Sequence, residues 1–148
     1  MTRVTFSSYN FRREPRGGEE YIFDEVRKKW VLLTGEEWVR QHILHYLVYD
    51  KGYSPGLIAV ERGIELNGLR KRFDIVVFDS TGSPKMIIEC KAPDEVLNEK
   101  VFEQIARYNM SLKVDYLWVT NGKFNYCCNL KAGGQLVLDI PSSAELLE

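Results

Sequence analysis

Asp74, Glu89, Cys90 and Lys91 are the residues whose types and spacing could do chemistry. Asp74 is followed by the apolar run Ile75-Val76-Val77-Phe78, and Lys85-Met86-Ile87-Ile88 leads into Glu89. Asp79, Ser80, Thr81, Gly82, Ser83 and Pro84 separate the two runs, the pattern of a β-hairpin. A four-residue loop over 80–83 centres the turn between Thr81 and Gly82 and sets Asp74 directly opposite Glu89. Opposed Cβ atoms lie roughly 4.5–5.5 Å apart. Lys91 is two residues beyond Glu89 and so points to the same sheet face. Like charges opposed in a sheet are destabilising, and burying them is worse without compensation. A divalent cation would compensate, because hard cations take carboxylate oxygens. The plainer alternative is a salt bridge from Lys91 to Glu89 or Asp74 at a sheet end.

The elements that must hold these residues are legible on both sides. The stretches 21–24 and 30–33 are β-type and flank charged 25–29, which predicts a hairpin. Thr34 with Glu37 three residues later is a capping-box signal. The helix it opens runs to Asp50 or Lys51 and stops at Gly52. Val39, Ile43, Tyr46 and Leu47 form its core stripe, and Glu36 falls on that stripe while Glu37 lies about 100° away. Glu36 is therefore the better helix-borne carboxylate for the site, with Glu37 in reserve. Both also suit the positive end of a helix dipole.

A strand over 57–66, the turn signal Asn67-Gly68 and a strand over 70–79 predict a second hairpin with a type I′ turn. That pairing sets Glu61 opposite Asp74, where it either joins the acidic face or pairs with a neighbouring Arg or Lys. Strict alternation puts Asp74, Val76 and Phe78 on one face of the strand and Phe73, Ile75 and Val77 on the other. A second helix, from Glu95 or Asn98 to Asn109, has Leu97, Val101, Phe102 and Ile105 for its core face. Gln104 and Tyr108 are four apart and share another face. A hairpin about Asn121-Gly122 and a last strand over 135–139 close the chain. The predicted fold class is α/β: a mixed, mainly antiparallel central sheet flanked by helices. Residues 1–19 read as an N-terminal arm with a short strand, and 20–148 as a single domain.

Composition narrows the function classes. Hydrophobic residues make up 45% of the 148, enough for a core, and no run approaches a membrane span. Three cysteines, Cys90, Cys127 and Cys128, are no disulfide framework. Together with the absence of an apolar leader after Met1, they fit a reducing cytoplasm. His42, His45 and Cys127 or Cys128 lack the paired spacing of a zinc site. A net charge of −1 is not that of a stand-alone nonspecific DNA binder, yet Arg12-Arg13, Arg27-Lys28-Lys29 and Arg70-Lys71-Arg72 are local basic clusters. Solvated turns and edge strands explain such clusters equally well.

The ordered set of motifs resembles a known family. It comprises Phe23-Asp24-x-x-Arg27-Lys28-Lys29, Thr34-x-Glu36-Glu37-Trp38-Val39-Arg40-Gln41, Arg72-Phe73-Asp74, Ile88-Glu89-Cys90-Lys91, Gln104-x-x-x-Tyr108 and Thr120-Asn121-Gly122. Together they resemble the PD-(D/E)XK nuclease superfamily and, more narrowly, the N-terminal nuclease domain of type I restriction-enzyme R subunits. The likeness spans residues 20–140. Phe73 stands where the superfamily's name has proline. The resemblance implies a restriction-endonuclease-like fold and Mg²⁺-dependent hydrolysis of DNA phosphodiester bonds, with Mn²⁺ able to substitute. It implies a metal held by Asp74, Glu89 and the backbone carbonyl of Cys90, with Lys91 supporting the reaction. Glu36, Gln104 and Tyr108 complete the site. DNA is the expected partner, with other restriction-modification subunits or a second copy of the chain as further ones and no membrane. No Gly-x-x-x-x-Gly-Lys-Ser/Thr occurs, so no P-loop ATP site is expected. The competing reading is a non-catalytic DNA- or protein-binding module that keeps the fold.

Overall fold

Period-2 apolar runs and turn residues build two sheets in the computed structural model, which describes residues 1–66 and 68–147, with Leu66 and Leu69 as backbone only. Strands β1 (Arg13–Arg16), β2 (Glu19–Asp24) and β3 (Lys29–Leu32) form a small antiparallel sheet. The expected hairpin is its β2–β3 half, closed by Asp24 Oδ1, which accepts from the N–H groups of Val26 and Arg27 (2.8 and 2.7 Å).

The second sheet is six-stranded in sequence order: β4 (Ile58–Leu66), β5 (Leu69–Phe78), β6 (Pro84–Cys90), β7 (Tyr116–Thr120), β8 (Asn125–Asn129) and β9 (Gln135–Leu136). Only the β6–β7 pair is parallel. Its crossover carries helix α2 (Glu99–Asn109), as a parallel connection requires. The sheet is mixed and mainly antiparallel, as expected. The turn between β4 and β5 includes Asn67, which lies outside the described residues.

Helix α1 (Gly35–His45) passes without a break into a π-helical turn over Tyr46–Asp50, and Gly52 follows at φ +78°. Thr34 Oγ1 accepts from the Glu37 N–H (3.0 Å), so half of the expected capping box forms. The Glu37 carboxylate does not return the bond, because two arginines hold it. Asn98 caps α2 through the Val101 N–H (2.9 Å).

The two helices cover opposite faces of the large sheet. Val39 and Ile43 of α1 and Leu47 of the π-helical turn pack with Ile75, Val77, Met86, Ile88 and Trp118. Phe102, Val101 and Ile105 of α2 pack with Val76, Ile87, Leu117 and Val119. Met86, Ile87 and Ile88 are all fully buried, so β6 is apolar on both faces. Each such side chain contributes roughly 1.5–3 kcal/mol of burial. Gly122 (φ +89°) sits so near α1 that a β-carbon there would lie 3.3 Å from Val39.

Two expectations need correction. The last strand is two residues long rather than 135–139, because the chain then leaves β8 and Asp139 bridges Arg3 in parallel. A short helix α3 (Ser143–Leu147) follows, with a complete capping box between Ser142 and Glu145 (3.1 and 3.2 Å). The Ser-x-x-Glu spacing that signals it stands in the sequence. Among the described residues no helix is long and apolar enough to cross a membrane.

Candidate active site

The hairpin register is the one the index sum predicts. Ile75 pairs with Ile88 and Val76 with Ile87, so the next residues outward are Asp74 and Glu89. The loop is not the symmetric four-residue turn. It is longer, built on Asp79 Oδ1, and a bulge between Val77 and Phe78 absorbs the extra residue. Two hydrogen bonds tie the acidic pair: the Asp74 N–H donates to Glu89 Oε1 (3.3 Å), and the Cys90 N–H to Asp74 Oδ2 (2.7 Å). Burial, then the Asp74 charge, push the Glu89 carboxyl up to about 7. Burial also raises Asp74, against the pull of the Cys90 N–H and Arg40. Glu36 is raised as well, by burial and then by Asp74, to which it lies within hydrogen-bonding reach.

Helix α1 has a second buried face, and it is polar. Glu37, Arg40 and Gln41 are 5%, 6% and 0% exposed, at the i, i+3 and i+4 positions that share one side of a helix. Arg40 donates to both Glu37 oxygens (2.9 and 3.1 Å), to Asp74 Oδ1 (3.2 Å) and to Glu61 Oε1 (3.3 Å). Arg27 joins Glu37 (2.9 Å) to fully buried Asp24 (2.7 Å), and Gln41 donates to both acids (2.9 Å to Asp24, 3.2 Å to Glu37). Burial opposes the charges of Asp24, Glu37 and Arg40. The arginines nonetheless hold Asp24 and Glu37 below the ordinary carboxylate range, and Glu37 and Asp74 hold Arg40 above its own. A chain of ion pairs thus links the small sheet to Asp74. It was not foreseen, although Glu37-x-x-Arg40-Gln41 carries its spacing.

Glu61 takes up both roles considered for it. Its neighbours Val60 and Arg62 pair with Ile75 and Phe73, which leaves it across from Asp74 at a gap in the β4–β5 ladder, and it pairs with Arg40 and Arg72 (3.3 and 3.2 Å). Its φ of +53° is left-handed, a conformation that costs a non-glycine residue of order 1–3 kcal/mol. The strict alternation expected along β5 breaks beside it. Phe73 packs under α2 in the same cluster as Val76, while Asp74 turns to the α1 residues Arg40 and Glu36.

On the α2 side, Glu89, Cys90 and Lys91 line an open pocket of about 500 Å³ with Lys71, Phe73, Gln104, Ile105, Tyr108 and Asn109. Gln104 is exposed and Tyr108 is 79% exposed, so both stand on the lip rather than in the core. Lys91 does not bridge to Glu89 or Asp74; its Nζ meets Glu95 Oε2 at 2.8 Å. The Cys90 thiol is buried in the α1-side core. Five of the expected residues, Glu89, Cys90, Lys91, Gln104 and Tyr108, therefore line one pocket. Asp74 and Glu36 meet behind it, and Glu37 is engaged elsewhere.

The donor chemistry suits a hard cation: carboxylates of raised pKa crowd one sheet end without enough positive charge. Among the described residues no group of three or more His, Cys, Asp and Glu side chains takes a metal-holding arrangement. The expected ligand set has only two side chains, Asp74 and Glu89, beside a backbone carbonyl.

Residues 35–141 match the family model described as type I restriction enzyme R protein N terminus (HSDR_N). The chain superimposes on a fragment structure assigned as an HsdR subunit of a type I restriction enzyme from Vibrio vulnificus, with a TM-score of 0.56 and 20% identity. That match covers 77% of this chain and 24% of the other, so the chain spans about a quarter of the fragment it matches. A structure from Anabaena variabilis assigned as a nuclease of DUF820 matches at a TM-score of 0.48 and 10% identity, over 90% of this chain and 87% of that one. No curated protein matches. With the family model covering most of its length, the chain belongs to the family of type I restriction enzyme R protein N termini.

Proposed function

We propose that this domain is a metal-dependent endodeoxyribonuclease of the PD-(D/E)XK type, hydrolysing DNA phosphodiester bonds as part of a restriction system in the cytoplasm. The observation that carries the proposal is the opposed pair Asp74 and Glu89, with Glu89 pushed up to about 7 at the mouth of a pocket that also holds Lys91. Such a pair is unfavourable on its own and becomes favourable around a cation. Bound between them, Mg²⁺ or Mn²⁺ would supply Lewis-acid stabilisation of the phosphate and a lowered pKa for water.

The chain's own residues divide the remaining work. Arg40 and the Cys90 N–H fix both oxygens of Asp74, so its orientation is set before any ligand arrives. Glu89 would have to give up its proton to hold the cation, so metal affinity is expected to rise with pH through about 7. Lys91 exchanges Glu95 for substrate and stabilises charge building on the phosphate. Gln104 and Tyr108 offer an amide and a hydroxyl on the pocket lip for positioning the strand. Glu36 adds a third carboxylate beside Asp74.

Plasmid nicking in Mg²⁺ by wild type, Asp74→Ala and Lys91→Ala tests the proposal. Loss of nicking in both variants supports it, and equal activity in all three sinks it by exposing a contaminant. A second reading, a non-catalytic DNA- or protein-binding module, is favoured by the near-neutral charge and by the Lys91–Glu95 pair. Wild type that shows no rise in melting temperature with Mg²⁺ or Mn²⁺ supports that module. Other restriction-modification subunits or a second copy of the chain are the protein partners of the nuclease reading.

A further inference from the structure

Three consecutive bases, Arg70, Lys71 and Arg72, cross β5 just before Asp74, and the structure separates their fates. Arg70 is exposed, and Arg72 is spent on Glu61 at 3.2 Å. Lys71 is half-buried and turns into the pocket beside Glu89, Gln104 and Tyr108. Its close partners are neutral. Nζ donates to Asn109 Oδ1 and lies 4.4 Å from the centre of the Tyr108 ring and 5.5 Å from that of Phe73. Lys91, the other lysine of the pocket, is by contrast locked to the Glu95 carboxylate.

We infer that Lys71 is a phosphate-binding residue of the pocket, contacting a backbone phosphodiester of duplex DNA, and that it rather than Lys91 supplies the charge that first holds the strand. The inference rests on the nuclease reading of the same pocket. A partly buried ammonium whose close partners are an amide oxygen and two ring faces gains a full opposite charge when a phosphate replaces the amide, and it breaks no ion pair. Burial lowers the Lys71 pKa, against the pull of Glu89. An anion at Nζ relieves that penalty. The Tyr108 ring and Asn109 fix where Nζ stands, so little side-chain freedom is lost on binding.

The test is the salt dependence of binding to a labelled duplex oligonucleotide in chelator, where no cleavage occurs. Lys71→Met should weaken binding about three- to tenfold and lower the slope of log K against log salt by about one, the signature of one lost phosphate contact. Lys71→Arg should keep the slope. Lys131→Met removes the same charge at the far end of the sheet, where Lys131 pairs with Asp115 (3.2 Å), and should leave binding unchanged. Lys71→Met also removes the donor to Oδ1 of buried Asn109, so the melting temperature is followed beside the salt slope. A lower melting temperature with an unchanged salt slope marks Lys71 as structural and overturns the inference. If Lys71→Met binds like wild type while Asp74→Ala still abolishes nicking, the inference fails and the nuclease reading stands. If wild type neither binds the duplex nor nicks, both fall.

Discussion

Asp74 and Glu89 face each other across one strand pair, yet their surroundings differ in kind. On the α1 side, Asp74 accepts from Arg40 and from the Cys90 N–H, and Arg40 belongs to a chain running through Glu37 and Arg27 to Asp24. On the α2 side, Glu89 borders an open pocket, and the two lysines there are held by other groups, Glu95 and Asn109. The difference teaches where rigidity and reactivity lie. The α1 side fixes one carboxylate in place through buried, mutually neutralising charges. The α2 side leaves its partner short of positive charge at an open pocket.

The largest effect should come from breaking the compensated side. Arg40→Met leaves Glu37 and Asp74 with less counter-charge in a buried setting, and should destabilise the fold by about 3–5 kcal/mol in urea denaturation. Arg40→Lys should recover only part of this, because one ammonium cannot span the two Glu37 oxygens and Asp74. A loss below about 1 kcal/mol in Arg40→Met would mean that the two sides do not differ as described.

The uncompensated side predicts a pH effect of opposite sense to ordinary acid denaturation. Glu89 is raised from 4.5 to about 7, so its contribution to stability is fully present below 4.5 and is lost as pH rises through about 7. At about 1.4 kcal/mol per unit, the loss is up to roughly 3 kcal/mol in metal-free buffer. Asp24 and Glu37, whose carboxyls are lowered, act the other way and lose their contribution as pH falls. Melting temperatures of wild type and Glu89→Gln at pH 5 and pH 8 in chelator isolate the Glu89 part. The variant should gain on wild type at pH 8. A gap between the two that stays constant across pH contradicts the assignment.

The smallest effect on stability belongs to the pocket lip. Tyr108→Phe and Gln104→Ala touch exposed side chains and should change stability by less than about 0.5 kcal/mol. They should still lower nicking by about tenfold if both side chains position the strand. A fall in nicking that only follows a fall in melting temperature would give them a structural role instead.

The sequence made much of this legible, for reasons that can be traced to particular residues. Period-2 runs with a turn cluster between them define the β5–β6 register, because the symmetry of a hairpin leaves little freedom once both strands are apolar. The helix start at Thr34 was readable, and Asn98 was one of the two starts open for α2; both side chains do cap. Glu36 beside Asp74 followed from its place on the apolar stripe of α1. The polar face of α1 was less legible. Charged residues normally mark a solvated surface, and only three-dimensional closure of the small sheet over Glu37, Arg40 and Gln41 reveals that they are buried. The turn of Asp74 toward α1 was also hidden, because strict alternation places it with Val76 on the α2 side, and the positive φ at neighbouring Glu61, a non-glycine residue, has no sequence signal either. Lys71 read as one of three surface bases until the fold separated it from its neighbours.

The central claim is that Asp74 and Glu89 form a cation-holding pair, and calorimetric titration with Mn²⁺ at pH 8 tests it most directly. At that pH Glu89 has lost its proton. Wild type should bind Mn²⁺, and Asp74→Asn and Glu89→Gln should each weaken binding at least about tenfold while remaining folded. Binding of equal strength in all three proteins, or none in wild type, would contradict the account.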